Sequence, residues 1–509
     1  MPKLLVVHLA VATPLVAAPA GDGAARLDGF DGYVQELVEE WGVPGLALAV
    51  VHDGEVLFER GYGVRELGRD EEVDERTLFA IGSTTKAMTA AAVGMLVDEG
   101  KVGWEDPVTR HLPWLELRDP SATRGLRVRD LLTHDSGLPN TDFLWYEQDS
   151  STEEIVRRLA QVELQAPPRA RFVYQNVMYA AAGLLVEAAS GEPWSRFVES
   201  RILRPLGMDG STATLRAAGR EANRATPHDV VEGELRAIEN ASVDNVAAAG
   251  SVWSSASDMS KWSAFLLRGG VGADGRRLLS EATFGELFRP QVIVDADGFY
   301  PTARLTRPNW TTYSLGWFQA DYQGRRVDFH TGSIDGMVAI HGLVRAEGLG
   351  VIVLANLDHA EVRHALMYHV LDLFSPASEP GAPASRDWST ELRTLYAELQ
   401  REAETARERR VQQRVGGTRP SLSLASYAGR YRDPLHGEVE VTESSGGGLR
   451  LRWGRRVATL EHWHYDTFRA PWDARWRGEE RATFVLGASG EVERLELGSA
   501  AFRRVASQR

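Results

Sequence analysis

The chain contains no cysteine among its 509 residues. This absence excludes thiolate catalysis, disulfide bonds, cysteine-ligated metal centres and the cysteine-linked anchor of bacterial lipoproteins. Long apolar runs are also missing after the first twenty residues, because no later segment has the roughly 18 uninterrupted apolar residues that a membrane-spanning helix needs. We therefore expect no stable insertion into a membrane.

Lysine is scarce as well. Of the 57 basic side chains, only four are lysines, at positions 3, 86, 101 and 261. Lys86 lies in "AIGSTTKAMTA", residues 80–90, three positions after Ser83. Arginine keeps its proton in proteins, whereas a desolvated lysine can be neutral and accept one. Since serine makes up roughly 6% of residues, four lysines give about 0.25 S-x-x-K pairs by chance, so the pair alone is weak evidence for a nucleophile and its base.

Charge and length limit the classes of protein. The net charge of -14 repels phosphate backbones, and we see no basic patch, so we predict that the chain binds no nucleic acid. Hydrophobic content of 43% and charged content of 25% are those of a globular protein. A chain of this length predicts two or three domains.

The first twenty residues, "MPKLLVVHLAVATPLVAAPA", resemble a secretory signal peptide. Lys3 precedes an apolar stretch over 4–16, and the small residues that end at Ala20 fit an A-x-A cleavage site. The alternatives are a disordered tail and a wrongly assigned start. The pattern predicts export, and therefore a periplasmic or secreted protein.

The pattern of the next 355 residues alternates between sheet and helix. Two β-prone segments, 46–51 and 56–64, flank Asp53-Gly54, which suits a type I′ hairpin turn. A helix from Ser83 to Glu99 is apolar on nearly every side, and we expect it to be buried.

A proline-rich segment, 375–386, predicts a linker, and a charged helix follows over 390–415. Its partial apolar stripe indicates docking on a surface, and a solvated spacer fits nearly as well. The remaining short β-rich segments predict a small antiparallel barrel or sandwich. The predicted division is 1–20 signal peptide, 21–375 catalytic domain, 376–420 linker with a charged helix, and 421–509 β domain.

Two further clusters are ambiguous when each is taken alone. In "RFVYQNVMYA", residues 171–180, Tyr174 and Asn176 precede an apolar helix, and they are equally explained as a core residue and a helix cap. In "DFHTGSIDG", residues 328–336, His330 precedes Thr331 and Gly332. This segment fits either a plain turn or an edge strand that lines a site.

In chain order the three clusters read S-x-x-K, Y-x-N and [K/H]-T-G, and in that order they resemble the serine β-lactamase and penicillin-binding protein superfamily. Three further segments are similar to the branch with class C β-lactamases, D-aminopeptidases, D-alanyl peptidases and family VIII carboxylesterases: "VRDLLTHDSGLP" (128–139), "PLGMDGS" (205–211) and "AAGSVWSSASDMSKW" (248–262). The resemblance covers about 30–375. It implies an α/β fold, with an antiparallel sheet flanked by helices and a helical subdomain.

The end of the chain has a resemblance of its own. "SLASYAGRYRDPLHGEVEV", residues 423–441, resembles the lipocalin-like barrel that often follows this kind of hydrolase domain. The match carries no catalytic residue.

The resemblance also implies roles for the clustered residues. Ser83 is the nucleophile that forms an acyl-enzyme, and Lys86 and Tyr174 share the proton transfers, with the identity of the base left open. Substrate binding and the oxyanion hole are assigned to Asn176, His330, Thr331, Gly332 and Ser333. The chemistry requires no metal ion and no organic cofactor. The expected partner is a small-molecule or short-peptide substrate, and the oligomeric state stays open.

Two positions depart from the family pattern. Most β-lactamases have lysine where this chain has His330, and a mostly neutral imidazole binds a drug carboxylate less well at pH 7. The D-aminopeptidase-like branch also uses histidine there, so a peptide or ester substrate is favoured. Asp135 stands where relatives commonly have threonine, and the sequence offers no reason for it.

Three functions remain open. The first is an exported serine hydrolase of the peptidase or esterase type. The second is a β-lactamase, or a penicillin-binding or sensor module that acylates without turnover. The third is a non-catalytic scaffold.

Overall fold

The computed structural model describes residues 21–376, 378–381, 386–444 and 446–506. The predicted signal peptide, 1–20, lies outside the described residues, and the predicted linker is described only in part. The strands are, in chain order, β1 Gly45–His52, β2 Glu55–Gly63, β3 Phe79–Ala80, β4 His228–Val231, β5 Glu234–Ala237, β6 Trp253–Ser254, β7 Val292–Ile293, β8 Thr311–Tyr313, β9 Phe318–Tyr322, β10 Arg325–Ile334, β11 Met337–Val344, β12 Leu349–Ala355, β13 Gly429–Asp433, β14 Gly437–Glu443, β15 Leu449–Trp453, β16 Arg456–His464, β17 Thr467–Pro471, β18 Glu479–Leu486, β19 Val492–Leu497 and β20 Ala500–Arg504.

Helices surround the first twelve strands and lead into the rest. They are α1 Gly21–Ala25, α2 Phe30–Glu40, α3 Thr85–Asp98, α4 Pro120–Gly125, α5 Thr152–Arg157, α6 Asn176–Ser190, α7 Trp194–Val198, α8 Leu215–Ala218, α9 Ala247–Gly250, α10 Ala256–Leu267, α11 Glu281–Leu287, α12 Ala303–Thr306, α13 Val362–Leu373, α14 Trp388–Gln412 and α15 Leu424–Tyr427. None of the described helices is both long enough and apolar enough to cross a bilayer.

The central sheet has eight strands in the order β2-β1-β12-β11-β10-β9-β8-β7, and every neighbouring pair is antiparallel. The first hairpin turns at Asp53 (φ 51°) and Gly54 (φ 80°), as a type I′ turn requires. Both the hairpin and the predicted α/β class with an antiparallel sheet are confirmed.

Strand β1 shows how the sheet separates two apolar layers. Leu46, Leu48 and Val50 face a core shared with α2, α13 and the start of α14. The alternate residues, Ala47 and Ala49 among them, face a second core built with α3, α6 and α10. Alternation with period two is what a strand covered on both faces requires. Each fully buried leucine or valine stabilises the fold by about 1.5 to 3 kcal/mol.

Helix α3 is buried on nearly every side, as predicted, and ends before Gly100, whose φ of 69° is left-handed. The structure changes one detail of its beginning. Ser83 lies in a 3₁₀ turn, Gly82–Thr84, and the α-helix starts at Thr85. The nucleophile candidate therefore stands just before the helix, where free N–H groups point towards it.

Both alternatives for the charged helix α14 hold, each for a different part of it. Trp388, Leu392 and Leu395 are buried against the catalytic domain, whereas the helix is exposed from Arg401 onwards. Beyond it, β13 to β20 close into an eight-stranded barrel with its own apolar core. The prediction of a small all-β domain is confirmed in its barrel form, which fits a lipocalin-like domain.

Candidate active site

Two glycines bring the nucleophile turn against strand β10. Gly82 has a φ of 52°, and a Cβ atom there would lie 2.6 Å from the amide nitrogen of Ser333. A Cβ atom on Gly332 would lie 1.9 Å from the carbonyl oxygen of Ile81. The backbone of Ile81 and Gly82 thus occupies the space where a side chain at position 332 would lie. As a result, the turn that carries Ser83 lies directly against the backbone of Gly332 and Ser333, the strand that the resemblance assigns to the oxyanion hole.

Lys86 is completely buried, and its Nζ atom has three partners. These are Ser83 Oγ at 2.9 Å, Asn176 Oδ1 at 2.8 Å and the carbonyl oxygen of Ala249 at 2.8 Å. Burial holds the pKa of Lys86 well below its ordinary value, although the charge of Asp142 partly opposes this. A neutral amine has two N–H donors and one lone pair. The two carbonyl-type oxygens can use the donors, and the Ser83 hydroxyl can donate to the lone pair.

Tyr174 is a hydrogen-bond partner of the same hydroxyl. Burial raises the pKa of Tyr174 well above its ordinary value, and a hydrogen bond with Ser83 only partly lowers it. Lys86 Nζ is 4.8 Å from the centre of the tyrosine ring. The lowered pKa of Lys86 also weakens the positive charge that would favour a phenolate. The phenol therefore stays protonated and can donate to Ser83.

Asn176 begins helix α6, yet its side chain does not cap that helix. Its Oδ1 accepts from Lys86, and its Nδ2 donates to Asp142 Oδ1 at 3.0 Å. The structure thus favours the functional interpretation of Asn176 over the helix cap. Asp142, which the sequence analysis missed, sits on a loop with no motif of its own.

His330 is inside the protein, with 1% of its surface exposed. Its Nδ1 is 2.6 Å from the carbonyl oxygen of Thr331, and its Nε2 is 3.1 Å from the Tyr313 hydroxyl. Burial, assisted by Lys86, lowers the pKa of His330 to about 3, so the imidazole is neutral at pH 7. The Thr331 hydroxyl is 2.8 Å from that of Tyr300. Both polar side chains thus have hydrogen-bond partners within the protein.

Arg363, at the start of α13, supports β10 from behind. Its Nη1 donates to the carbonyl oxygen of Gly332 at 2.6 Å and to Ser333 Oγ at 3.0 Å. Its Nη2 donates to Glu361 at 3.1 Å. Burial opposes ionisation of Glu361, but Arg363 and His364 outweigh it and lower the pKa of Glu361 to about 2. Nothing in one sequence distinguishes this arginine from the many others.

The "HDS" segment, residues 134–136, has a structural role beside the site. His134 is buried with a φ of 61°, and its Nδ1 accepts the backbone N–H of Gln175 at 3.0 Å. Its ring packs 4.2 Å from that of Tyr174, between centres. Asp135 is also buried and accepts a hydrogen bond from Thr133. Burial raises the pKa of Asp135 to about 6.

The barrel touches the catalytic domain beside this site, at the loop of residues 141–149. Glu147, with a φ of 56°, binds Arg477 Nη2 of the barrel at 2.8 Å. The Arg455 amide donates to the Glu147 carbonyl oxygen at 2.9 Å. Arg477 Nε is also 3.6 Å from Asp335, which lies two residues after Ser333. One barrel side chain therefore contacts both a loop that holds Asn176 and the turn that follows the oxyanion strand.

Together, the antiparallel sheet, the buried S-x-x-K pair and the neighbouring Y-x-N segment define a serine hydrolase of the β-lactamase and penicillin-binding protein fold. The chain belongs to the Beta-lactamase family, which it matches over residues 30–374. Residues 413–508 match DUF3471, a domain of unknown function. The predictions of this superfamily and of a serine hydrolase are confirmed.

Relatives of this chain carry hydrolase names. It is 28% identical over 428 residues to the unguisins hydrolase ungD′ of Aspergillus campestris (strain IBT 28561), covering 81% of this chain and 77% of the relative. The octameric penicillin-binding protein homologue from Pyrococcus abyssi aligns with a TM-score of 0.60 at 22% identity, over 94% of this chain and 99% of its own. A D-stereospecific amidohydrolase from Streptomyces sp. aligns with a TM-score of 0.52 at 22% identity, over 66% of this chain and 94% of its own.

Proposed function

We propose that this chain is an exported serine hydrolase that forms an acyl-enzyme on Ser83 and hydrolyses a small peptide, amide or ester. The observation that carries the proposal is the partner set of Lys86. A fully buried lysine with two carbonyl-type acceptors and one serine hydroxyl is arranged to take the hydroxyl proton. Export is supported by the composition of residues 1–20 alone.

The reaction follows from this geometry. Ser83 Oγ loses its proton to Lys86 Nζ and bonds to the substrate carbonyl carbon, and the carbonyl oxygen takes the negative charge beside the amides of Ser83 and Ser333. A single such donor contributes about 3 kcal/mol in the transition state. When the carbon–leaving-group bond breaks, the protonated lysine or Tyr174 returns a proton to the leaving group. Water then repeats the sequence on the acyl-enzyme and releases the acid.

The chemistry around His330 supports a substrate without an essential carboxylate. A neutral, internally bonded imidazole offers no charge to the carboxylate of a β-lactam. The name of the Streptomyces relative supports D-configured amides as the first class to test. A β-lactamase remains the alternative within the same chemistry.

The test is steady-state turnover of the purified protein on a D-alanyl anilide, a short-chain nitrophenyl ester and a chromogenic cephalosporin. We expect cleavage of the anilide or the ester, slow cleavage of the cephalosporin, and no turnover above background in Ser83→Ala. Lys86→Arg should lose about 10² to 10⁴ in kcat, because arginine cannot accept the proton. Substantial activity in either variant would refute the assignment, and fast cephalosporin hydrolysis would make the protein a β-lactamase.

Pre-steady-state kinetics distinguish a hydrolase from a penicillin-binding or sensor module. Such a module would release one equivalent of nitrophenol per Ser83 and then stop. We expect continued turnover instead. Failure of Ser83 to react with any acylating probe would favour a non-catalytic scaffold. Amino-terminal sequencing of the protein from the medium or periplasm tests the predicted cleavage after Ala20.

A further inference from the structure

A cavity of about 430 Å³ lies where the 141–149 loop meets the barrel, and we call it the junction cavity. Its walls come from two domains that are far apart in the chain. The loop supplies Asp142, Phe143, Trp145 and Tyr146, and the barrel supplies His436, Trp453, Arg456, Glu480, Leu497, Gly498, Ser499 and Ala500.

The junction cavity begins directly behind the catalytic residues. Asp142 lines it, and the same carboxylate accepts from Asn176 Nδ2 at 3.0 Å. The other end of that amide group accepts from Lys86 at 2.8 Å. A single asparagine side chain therefore separates the cavity wall from the proton acceptor of Ser83.

Aromatic rings form the facing walls. The Phe143 ring packs on His436 with 4.5 Å between centres, across the boundary of the two domains. Trp453 is held in place because its Nε1 donates to the His436 carbonyl oxygen at 3.0 Å. Rings fixed in this way suit an apolar or aromatic side chain, which gains from burial and from edge or face contacts.

Two oppositely charged groups in the same cavity, Arg456 and Glu480, have hydrogen-bonding capacity that no described residue uses. No described residue accepts a hydrogen bond from Arg456 Nε, and the guanidinium carbon lies 4.0 Å from the centre of the Trp453 ring. The carboxylate of Glu480 lies in the field of Arg456, Arg481 and Arg410, without an ion pair or hydrogen bond among the described residues. Burial lowers the pKa of Arg456 and raises that of Glu480, and the attraction between the two charges partly opposes both shifts.

A peptide unit would satisfy both groups at once. Its carbonyl oxygen accepts a hydrogen bond, as Arg456 requires, and its N–H donates one, as Glu480 requires. A carboxylate would suit Arg456 alone and would be repelled by Glu480 and Asp142.

We propose that the junction cavity is a subsite that binds one apolar or aromatic residue on the acyl side of the scissile bond, with that residue's carbonyl on Arg456 and its N–H on Glu480. The proposal rests on the proposed serine hydrolase function and narrows its substrate to a peptide that extends beyond the reacting carbonyl. We place the subsite on the acyl side because Asn176, which the resemblance assigns to substrate binding, is bonded to Asp142 of the cavity wall.

The walls are held together by contacts that need no ligand. The Glu147–Arg477 ion pair and the Arg455–Glu147 hydrogen bond fasten the loop to the barrel. Gly454 allows this approach, because a Cβ atom there would lie 2.3 Å from the Glu147 carbonyl oxygen. The subsite is therefore preformed rather than assembled around the substrate.

The test uses three p-nitrophenyl esters with one leaving group, so that only the acyl part differs. They are the esters of N-acetyl-phenylalanyl-glycine, N-acetyl-glycyl-glycine and O-acetyl-phenyllactyl-glycine, the first and third in both configurations. We expect kcat/KM for the better phenylalanyl ester to exceed that for the glycyl ester at least about tenfold. The phenyllactyl ester, which lacks only the N–H, should lose about tenfold relative to the phenylalanyl ester.

Variants assign these preferences to the cavity. Trp453→Ala should reduce the phenylalanyl-to-glycyl ratio to near one, and Phe143→Ala in the opposite wall repeats the test without changing the barrel core. Glu480→Met should remove the difference between the phenylalanyl and phenyllactyl esters. The matched controls are Trp463→Ala and Glu443→Met, two barrel residues outside the cavity lining, which should keep the wild-type ratios.

Two kinds of failure are distinguishable. If no ester is cleaved in a Ser83-dependent manner, the proposed function fails and the subsite falls with it. If the esters are cleaved but the wild-type ratios are near one, the subsite is wrong and the hydrolase stands. The subsite is equally refuted if folded Trp453→Ala and Phe143→Ala proteins both keep the wild-type preference.

Discussion

We expect the buried carboxyl group of Asp135 to lower the free energy of unfolding at neutral and alkaline pH. The residue is 5% exposed, and its carboxyl group accepts a side-chain hydrogen bond from Thr133. Burial raises its pKa from the ordinary 3.8 to about 6, although Thr133 and Arg169 oppose the shift. Since one pH unit corresponds to 1.36 kcal/mol, the difference between 3.8 and 6 amounts to about 3 kcal/mol.

The sign follows from which state binds the proton more tightly. Below about pH 4 the group is protonated in both the folded and the unfolded chain, so it costs nothing. Between about pH 4 and pH 6 the unfolded chain releases the proton while the folded chain keeps it, and the free energy of unfolding falls as pH rises. Above pH 6 the full cost is present.

Asp135→Asn should therefore stabilise the protein, because the amide keeps an acceptor for Thr133 and carries no charge. We expect a gain of about 3 kcal/mol at pH 8 and almost none at pH 4, measured by guanidinium chloride unfolding of both proteins at each pH. Asp70→Asn, which removes an exposed carboxylate, is the matched control and should change little. An equal gain at both pH values, or none at pH 8, would refute the argument.

Three further substitutions test the supports of the site. Gly332→Ala places a carbon 1.9 Å from the Ile81 carbonyl oxygen, so kcat should fall at least about 100-fold in a protein that circular dichroism shows to be folded; an unchanged kcat would contradict the close approach. Arg477→Met leaves the buried Glu147 with only a 3.9 Å ion pair to Arg455 and should cost about 3 kcal/mol in denaturant unfolding. The double variant with Glu147→Gln should recover most of this, whereas simple additivity would disprove the pairing. Arg363→Met should lower kcat about tenfold with KM nearly constant, and partial rescue by Arg363→Lys would separate positioning of β10 from a general loss of stability.

Local patterns predicted the secondary structure near the site well. The Asp53-Gly54 turn, the buried helix ending before Gly100 and the separate barrel depend on short-range propensity and apolar periodicity, and all three are present. The first residues of α14 were less certain, because Trp388 belongs to a core whose other members are distant in sequence. A partial apolar stripe on a helix does not indicate which distant residues will pack against it.

For the candidate site, too, the sequence predicted some of the residues and not others. Motif order singled out Ser83, Lys86 and Asn176, and the structure brings these three side chains together. The motifs did not reveal Asp142 or Arg363, because both are common residue types in segments without a recognisable motif. Their importance comes only from the partners that the fold places beside them.

The sequence by itself determined which reactive groups this protein has. It contains no thiol, very few lysines, and three short motifs in the order typical of one hydrolase superfamily. The tertiary structure decided what those groups can do. Lys86 is a base candidate because it is buried beside partners 90 and 163 positions away in the chain. The barrel borders the site because Arg477 reaches Glu147, 330 positions away. Desolvation and long-range contacts set pKa values and cavity walls, and neither property resides in a local stretch of sequence.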